Sequence, residues 1–246
     1  MHEFDRSVIA LRRLAAARAH VVCFPWAGAG VAAFHPWLRL LPTTFALSVI
    51  RLPGRESRVR EGPFTSVAAA ASAIAPSVGR NGSTPTVFFG HSLGALLAFE
   101  TAAQLEAGAG IPPDLVIVSG AAAPGRVRVP GSSIEQVAEQ FRSAFVGFGV
   151  DDEERADVWD AFIFGLRADL FMARHYGTRA RTALSVPIVA YAGRMDRSLD
   201  VAAVNAWSAH SRVGLTTRWF DGGHFFLREH PDQVTQQLIA DVAAIR

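Results

Sequence analysis

The sequence predicts an α/β chain, with a mostly parallel central sheet flanked by helices and a helical insertion late in the chain. Three observations carry that expectation. Short, continuously apolar, β-rich runs alternate with longer helix-like stretches, the trace that a doubly wound parallel sheet leaves in a sequence. Glycine and proline stand at most strand exits, at Pro25, Pro53-Gly54, Gly90, Pro124-Gly125, Gly193 and Gly222-Gly223. The alternation then stops between about residues 131 and 181, where only helical patterns occur.

Taken in order, the strand candidates are residues 20–24, 46–52, 86–89, 115–119, 187–191 and 216–220. The last carries Thr216, Thr217 and Arg218, a polarity that suits the rim of a sheet rather than its middle. Helices are expected over 31–41, 66–78, 93–106, 201–209 and 231–245. No element is assigned before residue 20. Inside the insertion, helical patterns cover 133–146 and 153–176, the first opened by a capping box of Ser132 and Glu135. An insertion at 131–181 between two core strands would emerge as a lid over the C-terminal edge of the sheet, the edge where such folds bind ligands. All 246 residues are expected to form one domain.

Composition excludes several classes of function. Hydrophobic residues make up 50% of the chain, enough for a large core, and the 24 basic and 22 acidic residues nearly cancel. All the basic residues are arginine, yet a net charge of +2 gives no support to nucleic-acid binding. The single cysteine, Cys23, rules out an intrachain disulfide and a multi-cysteine metal site, and its apolar neighbours predict a buried strand position. Neither a signal-peptide core nor a membrane-spanning run follows the charged start of the chain, so a cytoplasmic protein is expected.

Gly90-His91-Ser92-Leu93-Gly94 matches the nucleophile-elbow pattern G-x-S-x-G. It directly follows a predicted strand and directly precedes a predicted helix, the context that the chemistry needs. A sharp strand-to-helix turn exposes the serine hydroxyl, and the helix start aims free N–H groups at charge developing on the substrate. The expected architecture is therefore the α/β-hydrolase fold, with Ser92 as nucleophile.

A serine hydroxyl needs a base, and in this fold the base is the last of the three groups in chain order. His210, His224 and His230 compete. His210 ends a helical stretch and His230 abuts Pro231 at a helix start, whereas His224 follows the last strand through the glycine-rich Asp221-Gly222-Gly223. His224 is the expected base. The acid should lie in the loop after the strand at 187–191, which offers Asp196 and, four residues on, Asp200. Asp196 is favoured because Asp200 suits the cap of the next helix. The oxyanion hole requires two backbone donors. Leu93, after the nucleophile, supplies one, and the small-residue loop from Phe24 to Gly30 is the expected source of the other.

At these residues the chain resembles the stand-alone type II thioesterases of polyketide and nonribosomal peptide biosynthesis. The likeness runs through Phe24-Pro25-Trp26-Ala27-Gly28-Ala29-Gly30 and on to Pro36-Trp37, through Pro53-Gly54-Arg55-Glu56-Ser57-Arg58, and through the elbow and its helix. It continues in Leu166-Arg167-Ala168-Asp169 and Gly222-Gly223-His224-Phe225-Phe226, and departs from the family pattern at Ala29, where a glycine is usual.

The resemblance implies Ala27 as second oxyanion donor and Ser92, Asp196 and His224 as a catalytic triad. It implies hydrolysis of acyl thioesters from the phosphopantetheine arms of acyl or peptidyl carrier proteins, with no metal or cofactor. A monomer that binds neither nucleic acid nor membrane is expected. Arg55 and Arg58 are candidates for contact with the carrier or its phosphate but suit surface structural roles better, and Arg167 with Asp169 is assigned no catalytic part. The competing reading is a carboxylesterase acting on small oxygen esters through the same triad.

Overall fold

Continuous apolar runs become strands buried on both faces, because helices cover both sides of a parallel sheet. The structure, a computed structural model, describes residues 7–79, 83–126, 152–176 and 183–245. Its strands are β1 (Val8–Arg12), β2 (Ala19–Phe24), β3 (Phe45–Ile50), β4 (Thr86–His91), β5 (Leu115–Ser119), β6 (Ile188–Gly193) and β7 (Leu215–Phe220). They form one sheet in the order β1-β3-β2-β4-β5-β6-β7. Only β1 runs antiparallel to its neighbour.

Alternation along each strand sorts the core into two layers. Val22, Phe24, Phe88, Val116 and Val118 face the helices α2 (Val67–Val78) and α3 (Leu93–Gln104). Val21, Cys23, Phe89 and Ile117 face the other side. There α1 (Trp37–Leu40) and α7 (Pro231–Ala243) cover them with Trp37, Val234 and Leu238. Cys23 is fully buried, as its apolar setting predicts. The polar strand β7 lies at the rim of the sheet, also as predicted.

The differences from expectation have physical causes. β1 carries no assignment from sequence, and all five of its residues are only half-buried, so no alternation marks it. The helix expected over 31–41 is two pieces, a 3-10 turn at Val31–Phe34 and the short α1. Pro36 between them has no N–H to donate, and its ring crowds the carbonyl four residues earlier. The stretch expected at 201–209 is α5 (Val201–Asn205) followed by a 3-10 turn at Ala206–His210.

Between β5 and β6 runs the long helix α4 (Asp152–Arg174), close to the pattern at 153–176. The helix expected at 133–146, with its Ser132–Glu135 start, lies outside the described residues. Among the described residues, no helix is long and apolar enough to cross a membrane.

Candidate active site

β4 pairs with β2 on one side and β5 on the other, so its C-terminal end sits in the middle of the sheet. There the chain turns into α3 through Ser92, whose φ of 54° and ψ of −119° place a non-glycine residue in a strained region. Two close approaches explain the glycines on either side. A Cβ on Gly90 would run into the carbonyl of Gly94, and a Cβ on Gly94 would run into the carbonyl of Phe24. Ser92 N donates to Ser119 O at 2.8 Å, tying the turn to β5.

The intervening His91 is fully buried, and its Nδ1 is hydrogen-bonded to Ser119 Oγ at 2.9 Å. Its ring lies 5.1 Å from that of His224 and 5.7 Å from that of Trp26. Burial and the neighbouring His224 hold it well below the usual imidazole range, against the pull of Asp196.

His224 stands in the loop after β7, turned by Gly222 at φ +111° and anchored by the buried Phe226, which opens the short helix α6 (Phe226–Glu229) and stacks on Phe220. Two backbone bonds staple this loop region to the one after β6: Arg194 N to Phe220 O at 2.8 Å and Met195 N to Gly222 O at 3.0 Å. The staple brings His224 Nδ1 to 2.7 Å from Asp196 Oδ2. Because the carboxylate accepts there, the imidazole proton sits on Nδ1 and Nε2 keeps its lone pair.

Asp196 Oδ1 accepts twice from Ser198, from its N–H at 2.9 Å and its hydroxyl at 2.6 Å. Burial pushes the Asp196 carboxyl up, but the bonds and charge from His224 and Ser198 outweigh it and leave it below its ordinary value. Ser198 was not singled out in the sequence; its position two residues after the acid, an Asx-turn spacing, is the signal that could have found it.

The remaining acids and histidines of these segments stand elsewhere. Asp200 Oδ1 accepts from Ala203 N at 2.6 Å, capping α5. Asp221 is exposed and paired with Arg194 at 3.5 Å. His210 packs against Phe99 and Trp207. His230 precedes α7 without a side-chain capping bond, so it serves that helix only through its backbone.

The loop after β2 turns tightly, with Ala29 N donating to Trp26 O at 3.0 Å and Gly28 at φ +77°. Ala27 is nearly buried within it. The loop lies beside the elbow, since Gly94 presses on the carbonyls of Phe24 and Pro25. Gly28 N donates to Asp169 Oδ2 at 2.8 Å. Arg55 Nη2 reaches both oxygens of Asp169, at 2.9 and 2.8 Å, while its Nη1 donates to Ala29 O at 2.7 Å. Glu56 Oε1 accepts from Val31 N at 2.7 Å.

Burial pushes the Asp169 carboxyl up, countered by Arg55 and the Gly28 N–H. The expectation of surface roles for Arg55 and Arg58 is corrected. Both are largely buried, and Arg58 binds Glu61 at 2.6 Å and Arg51 O at 2.8 Å.

A mostly parallel sheet with a serine at a strained turn after its central strand, and a histidine–carboxylate pair in the loops after its last two strands, defines an α/β-hydrolase. Within that class the chain belongs to the thioesterase domain family, whose model matches residues 19–242. It is 29% identical over 221 residues to the gramicidin S biosynthesis protein GrsT of Aneurinibacillus migulanus, spanning 87% of this chain and 85% of that one. It is 31% identical to the thioesterase PikA5 of Streptomyces venezuelae, over 89% and 79% of the two chains. Among solved structures it is similar to the type II thioesterase BorB from the borrelidin biosynthetic cluster. That match has a TM-score of 0.80 at 30% identity and covers 96% of this chain and 97% of that one.

Proposed function

We propose that the protein releases acyl groups from the phosphopantetheine arms of carrier proteins in polyketide or nonribosomal peptide assembly, clearing stalled or misprimed chains. The observation that carries the reading is the 2.7 Å bond between His224 Nδ1 and Asp196 Oδ2, on a chain of the thioesterase family with Ser92 at its elbow. In this reading Ser92 Oγ attacks the thioester carbonyl while His224 Nε2 takes its proton. Asp196 orients the imidazole and stabilises the imidazolium without taking the proton.

The backbone N–H groups of Ala27 and Leu93 hold the oxyanion. As the C–S bond breaks, the pantetheine thiolate receives the proton from His224, leaving an acyl group on Ser92. Water, deprotonated by the same nitrogen, then attacks this ester, and the acid departs as Ser92 regains its proton. The chemistry needs neither metal nor cofactor, and we place the enzyme in the cytoplasm as a monomer.

The insertion at 131–181, of which α4 is the described part, is proposed as the cover over the acyl group. Phe162 and Leu166 of α4 already lie against the loop after β2, whereas Phe164 and Phe171 of the same helix are exposed. A panel of carrier proteins loaded with acyl groups from acetyl to long chain, compared with nitrophenyl esters, tests the reading. Thioester release should dominate. Efficient ester turnover with no release from any loaded carrier would establish the carboxylesterase instead.

A further inference from the structure

Asp169 is a buried carboxylate whose hydrogen bonds converge on the loop after β2, directly at Gly28 and through Arg55. Its side chain is 1% exposed. One bond comes from Gly28 N, and the others come from Arg55, whose second nitrogen holds Ala29 O. A buried ion pair is costly to form, and replacing both partners with apolar residues of similar size is often neutral or stabilising. Its partners therefore point to a role in placing that loop.

The turn geometry shows what is placed. Trp26 to Ala29 form a type II turn, closed by Ala29 N to Trp26 O at 3.0 Å with Gly28 at φ +77°. Trp26 C=O and Ala27 N–H share one planar peptide and point in opposite directions. Whatever fixes Trp26 C=O into the turn thus aims Ala27 N–H out of it. Asp169 pins the next peptide through Gly28 N, and Arg55 pins the far end through Ala29 O.

The same helix face continues the grip. Phe162, Leu166 and Asp169 recur at intervals of four and three, on one side of α4. A Cβ on Gly28 would sit 2.7 Å from the Phe162 ring and 3.3 Å from Leu166. We infer that Asp169, through Gly28 and Arg55, is a positioning residue that holds the Ala27 N–H in its oxyanion-binding orientation and makes that orientation depend on the seating of α4. This rests on the proposed roles of Ser92 and Ala27.

The test separates transition-state from ground-state recognition. For the wild type, Asp169→Ala, Asp169→Asn and Arg55→Lys, one measures kcat and KM on an acyl-pantetheine thioester. Inhibition by an aliphatic boronic acid, which becomes tetrahedral on a nucleophilic serine, is compared with binding of a non-hydrolysable thioether. Losing one oxyanion donor costs about 10²–10³ in kcat, and misplacement by about 1 Å about 10².

Asp169→Ala should therefore lose about 30- to 100-fold in kcat and in boronate affinity together, with thioether affinity and KM within about threefold. Asp169→Asn keeps an acceptor for Gly28 but not the charge for Arg55, and should fall between. If Asp169→Ala does not fold, Asp169→Asn and Arg55→Lys are judged on whether boronate affinity falls more than thioether affinity.

The inference is overturned if boronate and thioether affinities weaken equally, or if kcat stays within threefold in every folded variant. Boronate binding that survives Ser92→Ala would overturn the Ser92 reading itself. Binding that needs Ser92 but ignores Asp169 and Arg55 overturns only this inference.

Discussion

The elbow after β4 and the loop after β2 lie side by side at one edge of the sheet, yet they are held by opposite means. The elbow is held locally: Gly90 and Gly94 let the strand, the turn and the helix touch, and Ser92 N is tied to the adjacent strand at Ser119 O. The loop after β2 is held remotely, by Arg55 and by Asp169, which lies 141 residues from Gly28. A site half built on backbone contact and half on distant side chains has one rigid wall and one whose geometry depends on the rest of the fold.

The largest expected effect strikes the rigid wall without deforming it. Ser92→Ala should remove hydrolysis, on the order of a millionfold in kcat by analogy with serine proteases, with an unchanged melting temperature. Retention of a tenth of the rate would mean that another group attacks. Next comes the histidine's partner. Asp196→Asn should cost roughly 10⁴-fold in kcat, whereas Asp200→Asn should leave both kcat and stability near the wild type, because asparagine caps a helix about as well as aspartate. Reversed outcomes would reassign the acid.

Gly94→Ala sharpens the contrast between the walls. Its Cβ meets backbone rather than a yielding side chain, so it should cost about 1–3 kcal/mol in urea denaturation and activity with it. A fully stable, active Gly94→Ala protein would show that the elbow is not as tight as described.

The smallest effect concerns His91. Because its folded pKa lies well below the ordinary 6.5, the unfolded chain takes up a proton that the folded chain refuses. Stability from this group is whole above about pH 6.5 and falls as pH drops toward the folded pKa, by about 1.4 kcal/mol per unit. Asp196, held below its ordinary value, loses its contribution only in the more acidic range, as pH falls through its folded pKa. Urea midpoints at pH 7 and pH 5 should therefore converge in His91→Asn relative to the wild type. Equal acid sensitivity in both would rule out His91 as its source.

What the sequence could reveal follows the same division. The elbow is a short pattern whose glycines are required by contacts within a few residues and with the neighbouring strand, so it reads directly. His224 reads almost as well, because Gly222 and Gly223 announce its loop. The acid reads as Asp196 over Asp200 from loop position alone, and the staple of Arg194 and Met195 to the last strand's loop is the contact that brings it to the imidazole.

Asp169 and Arg55 are 114 residues apart. No local pattern signals that they meet, so Arg55 reads as a surface arginine and Asp169 as a residue with no part in catalysis. β1 escapes for another reason: a half-buried strand at the rim has neither the continuous apolar run of the core nor a clear alternation.

That rim strand has a consequence for how the molecule behaves among copies of itself. An open sheet presents unpaired N–H and C=O groups at both margins, a template for a foreign strand. Among the described residues the margins are β1 and β7, and both are blunted. β1 has only five residues, shifts register between Ala10 and Arg12, and ends on Arg12, whose guanidinium is folded back onto the carbonyls of Leu38, Pro42 and Phe45. β7 carries Arg218, bound to Asp241 at 2.8 Å, between Thr217 and Trp219. A bulge, brevity and a placed arginine at β1, and a paired arginine at β7, leave little at these margins for a foreign strand to add to.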